Sequence, residues 1–428
     1  MTQQDIAPVP ERTLEQRELS DPHALHAALR ADGAVHRVRL PTGLRVWLVT
    51  DHAAARAVLA DPTMSKDMRG AGALFDRHTD CPAPRKRKSP TLAVNMLGSD
   101  PPDHTRLRRL VSRAFTPQQV AALRPGIEES AHALLDDMAH RDGGDLLELY
   151  ANPLSITVIC ALLGVPEQDR VDFAAWSRAL LDQDPAGRAR MREAATATRT
   201  YLTDLIAAKR ANPGDDLLSA LVQARADDAL SEDELVATAL LLLLAGFETT
   251  VNLIGNGMHA LLTDPGQLAL VQGDPDTLPA ALEEILRFDG PANHTSYRYT
   301  TRPVDIAGTT VPEGEFVLVS LSAANRDPAR FPDPDRLDVC RDTGGHLGFG
   351  HGIHYCLGAP LARLEGEVAL RLLLRRLPHI RLAVPPHELV WRPSTLVRAL
   401  EALPVTWSTD DTRAPRADDA RARSAADV

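Results

Sequence analysis

The 428-residue chain is poor in aromatic residues, at 4% of positions, and poor in cysteine, with four: Cys81, Cys160, Cys340 and Cys356. No two of them form a C-x-x-C pair, so neither a disulfide scaffold nor a zinc cage is indicated. Positive charge is also short. Lys and Arg number 47 against 58 Asp and Glu, and the net charge of −11 argues against nucleic acid as a partner. The stretch from Met1 to Asp21 lacks the apolar centre of a signal peptide or membrane anchor. The longest nearly unbroken apolar run, from Leu235 to Phe247, falls short of the roughly 20 residues that cross a bilayer. No linker or repeat divides the middle. One domain over residues 18–407 is therefore expected, with mobile charged tails over 1–17 and 408–428, in a reducing cytoplasm.

What is present is mostly helical pattern. Val35 to Leu40 and Leu44 to Val49 alternate around Pro41-Thr42-Gly43, which predicts a hairpin, and Asp51 to Leu59 predicts a short helix. Residues 65–97 show no clean period and read as a long loop. Helices are predicted over 103–115, 117–140, 153–163, 167–182, 187–211, 215–226, 231–263, 265–272 and 277–288. Thr116-Pro117 and Ser231-x-x-Glu234 supply helix starts. Strands return at 297–299, 304–306 and 316–320. Periodicity alone gives an α-rich protein with a small sheet.

Chemistry concentrates in Phe349-Gly350-His351-Gly352-Ile353-His354-Tyr355-Cys356-Leu357-Gly358, with an apolar helical run, Leu361 to Leu374, close behind. Glycines at such spacing suit a backbone that bends sharply or approaches something bulky. A cysteine just before a helix feels the positive helix end, which lowers its pKa towards the metal-binding thiolate. The bland alternative is a buried structural cysteine beside a turn. The run resembles the haem-binding loop of the cytochrome P-450 family, F-G-x-G-x-H-x-C-x-G, at Phe349, Gly350, Gly352, His354, Cys356 and Gly358. The resemblance implies a mainly α P-450 fold, with a long central helix over haem b (iron protoporphyrin IX) and Cys356 as the iron's ligand. Thiolate ligation is a property of the family at large, not a deduction from this chain.

Three further stretches are similar to the family's other motifs. Ala245-Gly246-Phe247-Glu248-Thr249 matches A-G-x-[D/E]-T, which implies that Gly246 makes room for O₂ and that Glu248 and Thr249 relay protons. The competing reading has the hydroxyl bonded to the carbonyl four residues back and Glu248 capped by a nearby base. Glu284-Ile285-Leu286-Arg287 has the E-x-x-R form, and the resemblance implies a charged brace completed by Arg336. His104 and Arg108 share one helix face at i and i+4, as suits a dianion. With Arg298 and His354 they correspond to the family's propionate-binding positions.

The likeness runs from about His23 to Trp407 and is strongest to soluble actinobacterial members that hydroxylate macrolides and other polyketides. It implies a monooxygenase using O₂ and electrons from a ferredoxin and an NAD(P)H-dependent ferredoxin reductase. No flavin or iron–sulfur segment lies in these residues. Arg106, Arg109, Arg113 and Arg363 are candidates for docking the acidic partner. The substrate is expected to be a hydrophobic secondary metabolite, hydroxylated or epoxidised, with Val94, Leu244, Ala292, Asn293, His294, Leu396 and Val397 lining its pocket. A monomer free of membrane is expected. A sterol or vitamin D-type hydroxylase, a peroxide-driven peroxygenase and a non-catalytic haem- or ligand-binding protein are the alternatives.

Overall fold

The computed structural model describes residues 10–80, 95–181, 188–223 and 230–408. Val94, and residues 1–9 and 409–428 of the two expected tails, lie outside them.

The organising element is the helix Glu232–Thr263, 32 residues long. Its start is the expected capping box: Ser231 Oγ accepts from Glu234 N at 3.2 Å, and Glu234 Oε2 accepts from Ser231 N at 2.8 Å. The apolar run seen in the sequence is thus only the first part of a helix long enough to cross a bilayer, but 72% of its most apolar stretch is buried inside the protein. Leu243, Ile254 and Leu261 are fully buried along it. Each such side chain contributes about 1.5–3 kcal/mol by leaving water. Around it pack Asn152–Leu163, Arg188–Ala211, Leu278–Asp289 and the cysteine helix Ala359–Arg376.

The larger sheet runs, in spatial order, Glu11–Thr13, Val35–Arg39, Arg45–Val49, Phe316–Val319, Arg298–Thr300 and Met64–Ser65. The expected hairpin is present, with Val38 opposite Val46. The pairing that matters for function joins chain segments far apart: Val317 stands beside Trp47 on one side and Arg298 on the other. This fixes Arg298 on the strand next to the sheet's Met64–Ser65 edge, where its side chain lines a cavity.

Several boundaries move. The helix expected over 117–140 breaks into Pro117–Ala122 and Arg124–Met138, because Pro125 has no amide to continue the ladder. The apparently aperiodic 65–97 region contains a helix, Gly72–His78. Residues 11–13, placed in the N-terminal tail by composition, form a strand parallel to Val35–Arg39. Pro22–Asp32, which the sequence reading passes over, is a helix started by Pro22 and ended at Gly33.

Candidate active site

The cysteine loop is shaped by two residues with positive φ. Gly350 (φ 73°) and Gly352 (φ 74°) sit where L side chains are strained, and a Cβ on Gly352 would lie 2.4 Å from the carbonyl oxygen of Leu59. The loop closes on itself through Cys356 N donating to Phe349 O at 2.9 Å and Tyr355 N donating to Gly352 O at 3.0 Å. Arg363 lies over the Phe349 ring at 4.5 Å and holds Glu283 through Nε at 2.6 Å.

Cys356 lines a cavity of about 320 Å³ between the cysteine helix and the central helix. That is at the lower end of the ~300–1,000 Å³ usual for ligand pockets. Its opposite wall is the stripe Leu241, Leu242, Ala245, Gly246, Thr249, Thr250 and Leu253. These positions share one face of a 3.6-residue period. Leu244 and Glu248 fall on the neighbouring face, so the expectation that Leu244 lines the pocket is corrected: it packs against the core. Ala292 and His294 line the cavity as expected. Asn293, Leu396 and Val397 do not. Asn293 is buried and donates to the carbonyls of Ser394 and Val397, Leu396 is 50% exposed, and Val397 packs in a bridge to Ala292. The helix Asn152–Leu163 supplies a wall the sequence did not single out, through Ser155, Val158, Ile159 and Leu162.

On the central helix, Thr249 Oγ1 donates to Ala245 O at 2.5 Å and Thr250 Oγ1 to Gly246 O at 2.8 Å. Glu248 accepts from Arg392 Nη1 at 2.9 Å. The bonds of the bland reading are therefore formed. Burial pushes the Glu248 carboxyl above its ordinary range, against the pull of Arg392. A Cβ on Gly246 would come within 3.1 Å of Ile159 Cδ1, so the glycine also serves close packing of two helices.

One edge of the cavity gathers positive charge. Lys66, Arg108 and Arg298 all line it, and Lys66 and Arg298 are buried. Lys66 Nζ donates only to a hydroxyl, Ser296 Oγ, at 2.5 Å, and Arg108 Nη2 to the carbonyl of Tyr355 at 2.6 Å. Arg298 Nη1 and His104 Nε2 are buried with no partner among the described residues. Burial brings Arg298 down to about 10 and Lys66 well below its ordinary value. His354, its ring tilted against that of His104 with centroids 4.3 Å apart, is pushed down to about 2 by burial and then by these cations. Unpaired buried cations are costly, and an anion with two carboxylates would relieve them.

The sulfur of Cys356 is open to the cavity but enclosed by protein. Burial raises its pKa, and the amides of Gly358 and Ala359 with Arg108 and Arg363 only partly offset this. The helix end alone does not make the thiolate expected from sequence. A metal cation would, since a coordinating thiol is deprotonated outright. No group of three or more His, Cys, Asp or Glu among the described residues could hold a metal. A metal at Cys356 would have to bring its remaining ligands with it. One sulfur, an apolar slot and cations awaiting carboxylates fit a metalloporphyrin.

Beneath the loop, Glu284 and Arg287 are fully buried and joined by two bonds, Nε to Oε2 at 2.6 Å and Nη2 to Oε1 at 2.8 Å. The third charge is not Arg336, whose side chain is 66% exposed and paired with Asp338. It is Arg341, whose Nε donates to Glu284 Oε1 at 3.2 Å; the cluster uses only the carbonyl of Arg336. Of the arginines considered for docking, Arg106 is held by Glu234 and Arg363 by Glu283.

The Cytochrome P450 family model matches residues 186–388. The chain is 50% identical over 398 residues, 92% of this chain and 93% of the relative, to "Cytochrome P450 monooxygenase PikC" of Streptomyces venezuelae. It is 48% identical over 388 residues, 90% and 94% of the two chains, to "Vitamin D(3) 25-hydroxylase" of Pseudonocardia autotrophica. Among solved structures, the tirandamycin C-bound P450 monooxygenase TamI superposes with a TM-score of 0.86 at 48% identity, covering 93% of this chain and all of that one. Shared sequence over nine-tenths of the chain and a shared fold agree: the chain belongs to the cytochrome P450 family and is a P450 monooxygenase.

Proposed function

We propose that this enzyme binds haem b through Cys356 and oxidises a macrolide or related polyketide, with electrons from a ferredoxin and its NAD(P)H-dependent reductase, as a cytoplasmic monomer. The observation that carries the reading is the cavity in which Cys356 faces an aliphatic stripe of the central helix, with unpaired cations along one edge. Arg108, Arg298 and Lys66 would receive the two propionates, with His104 and His354 as neutral donors beside them. When bound, the group supplies O₂ activation and one-electron chemistry. Leu241, Leu242, Val158 and Ala292 exclude water from the slot, which strengthens every polar interaction inside it. To hand a proton to the cavity, Thr249 must rotate its hydroxyl away from Ala245 O. Glu248 must leave Arg392 to resupply Thr249 through water. Its raised pKa suits that task, because it holds a proton more readily than an ordinary carboxyl.

Relatives named for macrolide substrates support the substrate class: "6-deoxyerythronolide B hydroxylase" and "Mycinamicin IV hydroxylase/epoxidase" are 46% and 44% identical. The 48% identity to a vitamin D₃ hydroxylase makes a sterol the second reading. Spin-state titration of the haem-loaded protein with macrolactones and sterols, followed by turnover under labelled O₂, separates them. A macrolactone should bind and gain one labelled oxygen. Binding and label confined to sterols would replace the first reading with the second.

A further inference from the structure

His294 is a neutral ring with one orientation and one open nitrogen. Its Nδ1 lies 2.5 Å from the carbonyl oxygen of Thr395, and a carbonyl only accepts, so Nδ1 carries the hydrogen. Burial holds its pKa near 4, so the ring does not acquire a second hydrogen in neutral solution. Nε2 is then a lone pair. Among the described residues it has no hydrogen-bond partner, yet it is not among the polar atoms sealed in the packing, and His294 lines the cavity. The ring cannot easily turn away. The His26 ring meets it edge-on at 5.7 Å, the His294 and Ser320 backbones form a bridge, and Asn293 next door is tied to Ser394 and Val397. Of the hydroxyls on the wall, Thr249 and Thr250 donate to their own helix, Ser296 accepts from Lys66, and Thr295 accepts from Val319 N.

We infer that His294 Nε2 is a fixed hydrogen-bond acceptor that selects substrates presenting a hydroxyl, and rejects the ketone of the same skeleton. An acceptor facing a ketone oxygen leaves two buried lone pairs unpaired, whereas a hydroxyl donates to it. The discrimination expected from a buried polar group left without its partner is on the order of 10-fold in affinity. The inference rests on the reading above that the cavity takes an oxygenated natural product, and adds which oxygen function is recognised.

The test uses the haem-loaded protein and two hydroxyl/ketone pairs: a macrolactone with a free ring hydroxyl and its ketone, and a 3-hydroxysterol and its 3-ketone. Dissociation constants are read from the spin-state shift. Two variants separate recognition from folding. His294→Phe keeps the ring volume and lacks both nitrogens, while His294→Leu lacks them in a smaller aliphatic side chain, so neither offers an acceptor. The wild type should bind the hydroxyl member about 10-fold more tightly, and both variants should lose the preference while still binding. Equal wild-type affinities within a pair that binds, or a preference that survives in His294→Phe, overturns the inference. If only the sterol pair binds, the macrolide reading fails and the acceptor is judged on the sterols. If none of the four binds, both are overturned.

Discussion

Replacing Arg341 by Ala should cost this protein far more than replacing Arg336, although Arg336 is the residue the sequence nominates for the brace. Arg341 is 11% exposed and its Nε reaches the fully buried Glu284 at 3.2 Å. Its other nitrogens donate to the carbonyls of Pro332, Asp333 and Arg336, pinning the segment that leads into the cysteine loop. Removing it takes one cation from a buried carboxylate and leaves those carbonyls short of a donor. Arg287 and the Asp338 amide remain on Glu284, so the loss is less than that of an orphaned charge. About 2–3 kcal/mol is expected. The Arg336 side chain pairs with Asp338 at 3.0 Å in the open, and such a pair contributes about 0–1 kcal/mol. Its carbonyl, the part the cluster uses, survives mutation. Urea unfolding followed by far-ultraviolet circular dichroism reads both. If Arg336→Ala shifts the midpoint as far as Arg341→Ala does, the assignment of the third charge is wrong.

Three other outcomes follow from the same geometry. Gly352→Ala forces a methyl to within 2.4 Å of Leu59 O in a left-handed backbone, so it should lower the melting temperature and the fraction of protein that retains haem; unchanged haem retention would contradict the close approach. Glu365, fully buried with Oε1 unpartnered, has its carboxyl raised by burial from 4.5 to about 7. Its contribution to stability is full below 4.5 and lost as pH rises through 7. Wild type should therefore lose up to about 3 kcal/mol relative to Glu365→Gln between pH 4.5 and pH 8, and parallel urea midpoints would refute this. Arg392→Met removes the cation that restrains Glu248, so the carboxyl keeps its proton to higher pH and the alkaline limb of the turnover pH profile should move to higher pH; an unmoved profile would show that the pair does not govern that step.

The cysteine loop and the central helix were legible because their information is local. Glycines at fixed offsets and a capping box act through neighbours in sequence; helical period marks the central helix but not which of its faces lines the cavity, and Leu244, expected there, packs against the core. Partners supplied by distant chain were not legible. Arg392 reaches Glu248 from 144 residues away, in a C-terminal segment with no motif. Arg341 and Arg336 are five residues apart in irregular backbone, where no period says which side chain turns inwards. Asn152–Leu163 hid its cavity face because it is apolar on nearly every side, with eight of its twelve residues buried. Asn293 was misread for a different reason. A buried amide can serve a ligand or the backbone, and here two carbonyls of the 394–397 segment take both of its hydrogens.

The central claim is that the sulfur of Cys356 is the protein ligand of the haem iron. The most direct measurement is the absorption of the reduced, carbon monoxide-bound protein, wild type against Cys356→His. Wild type should show the red-shifted band of a thiolate–carbon monoxide complex, and the variant should bind haem without it. A band that survives in Cys356→His would mean that the thiolate comes from elsewhere, and the site built around this loop would be wrong.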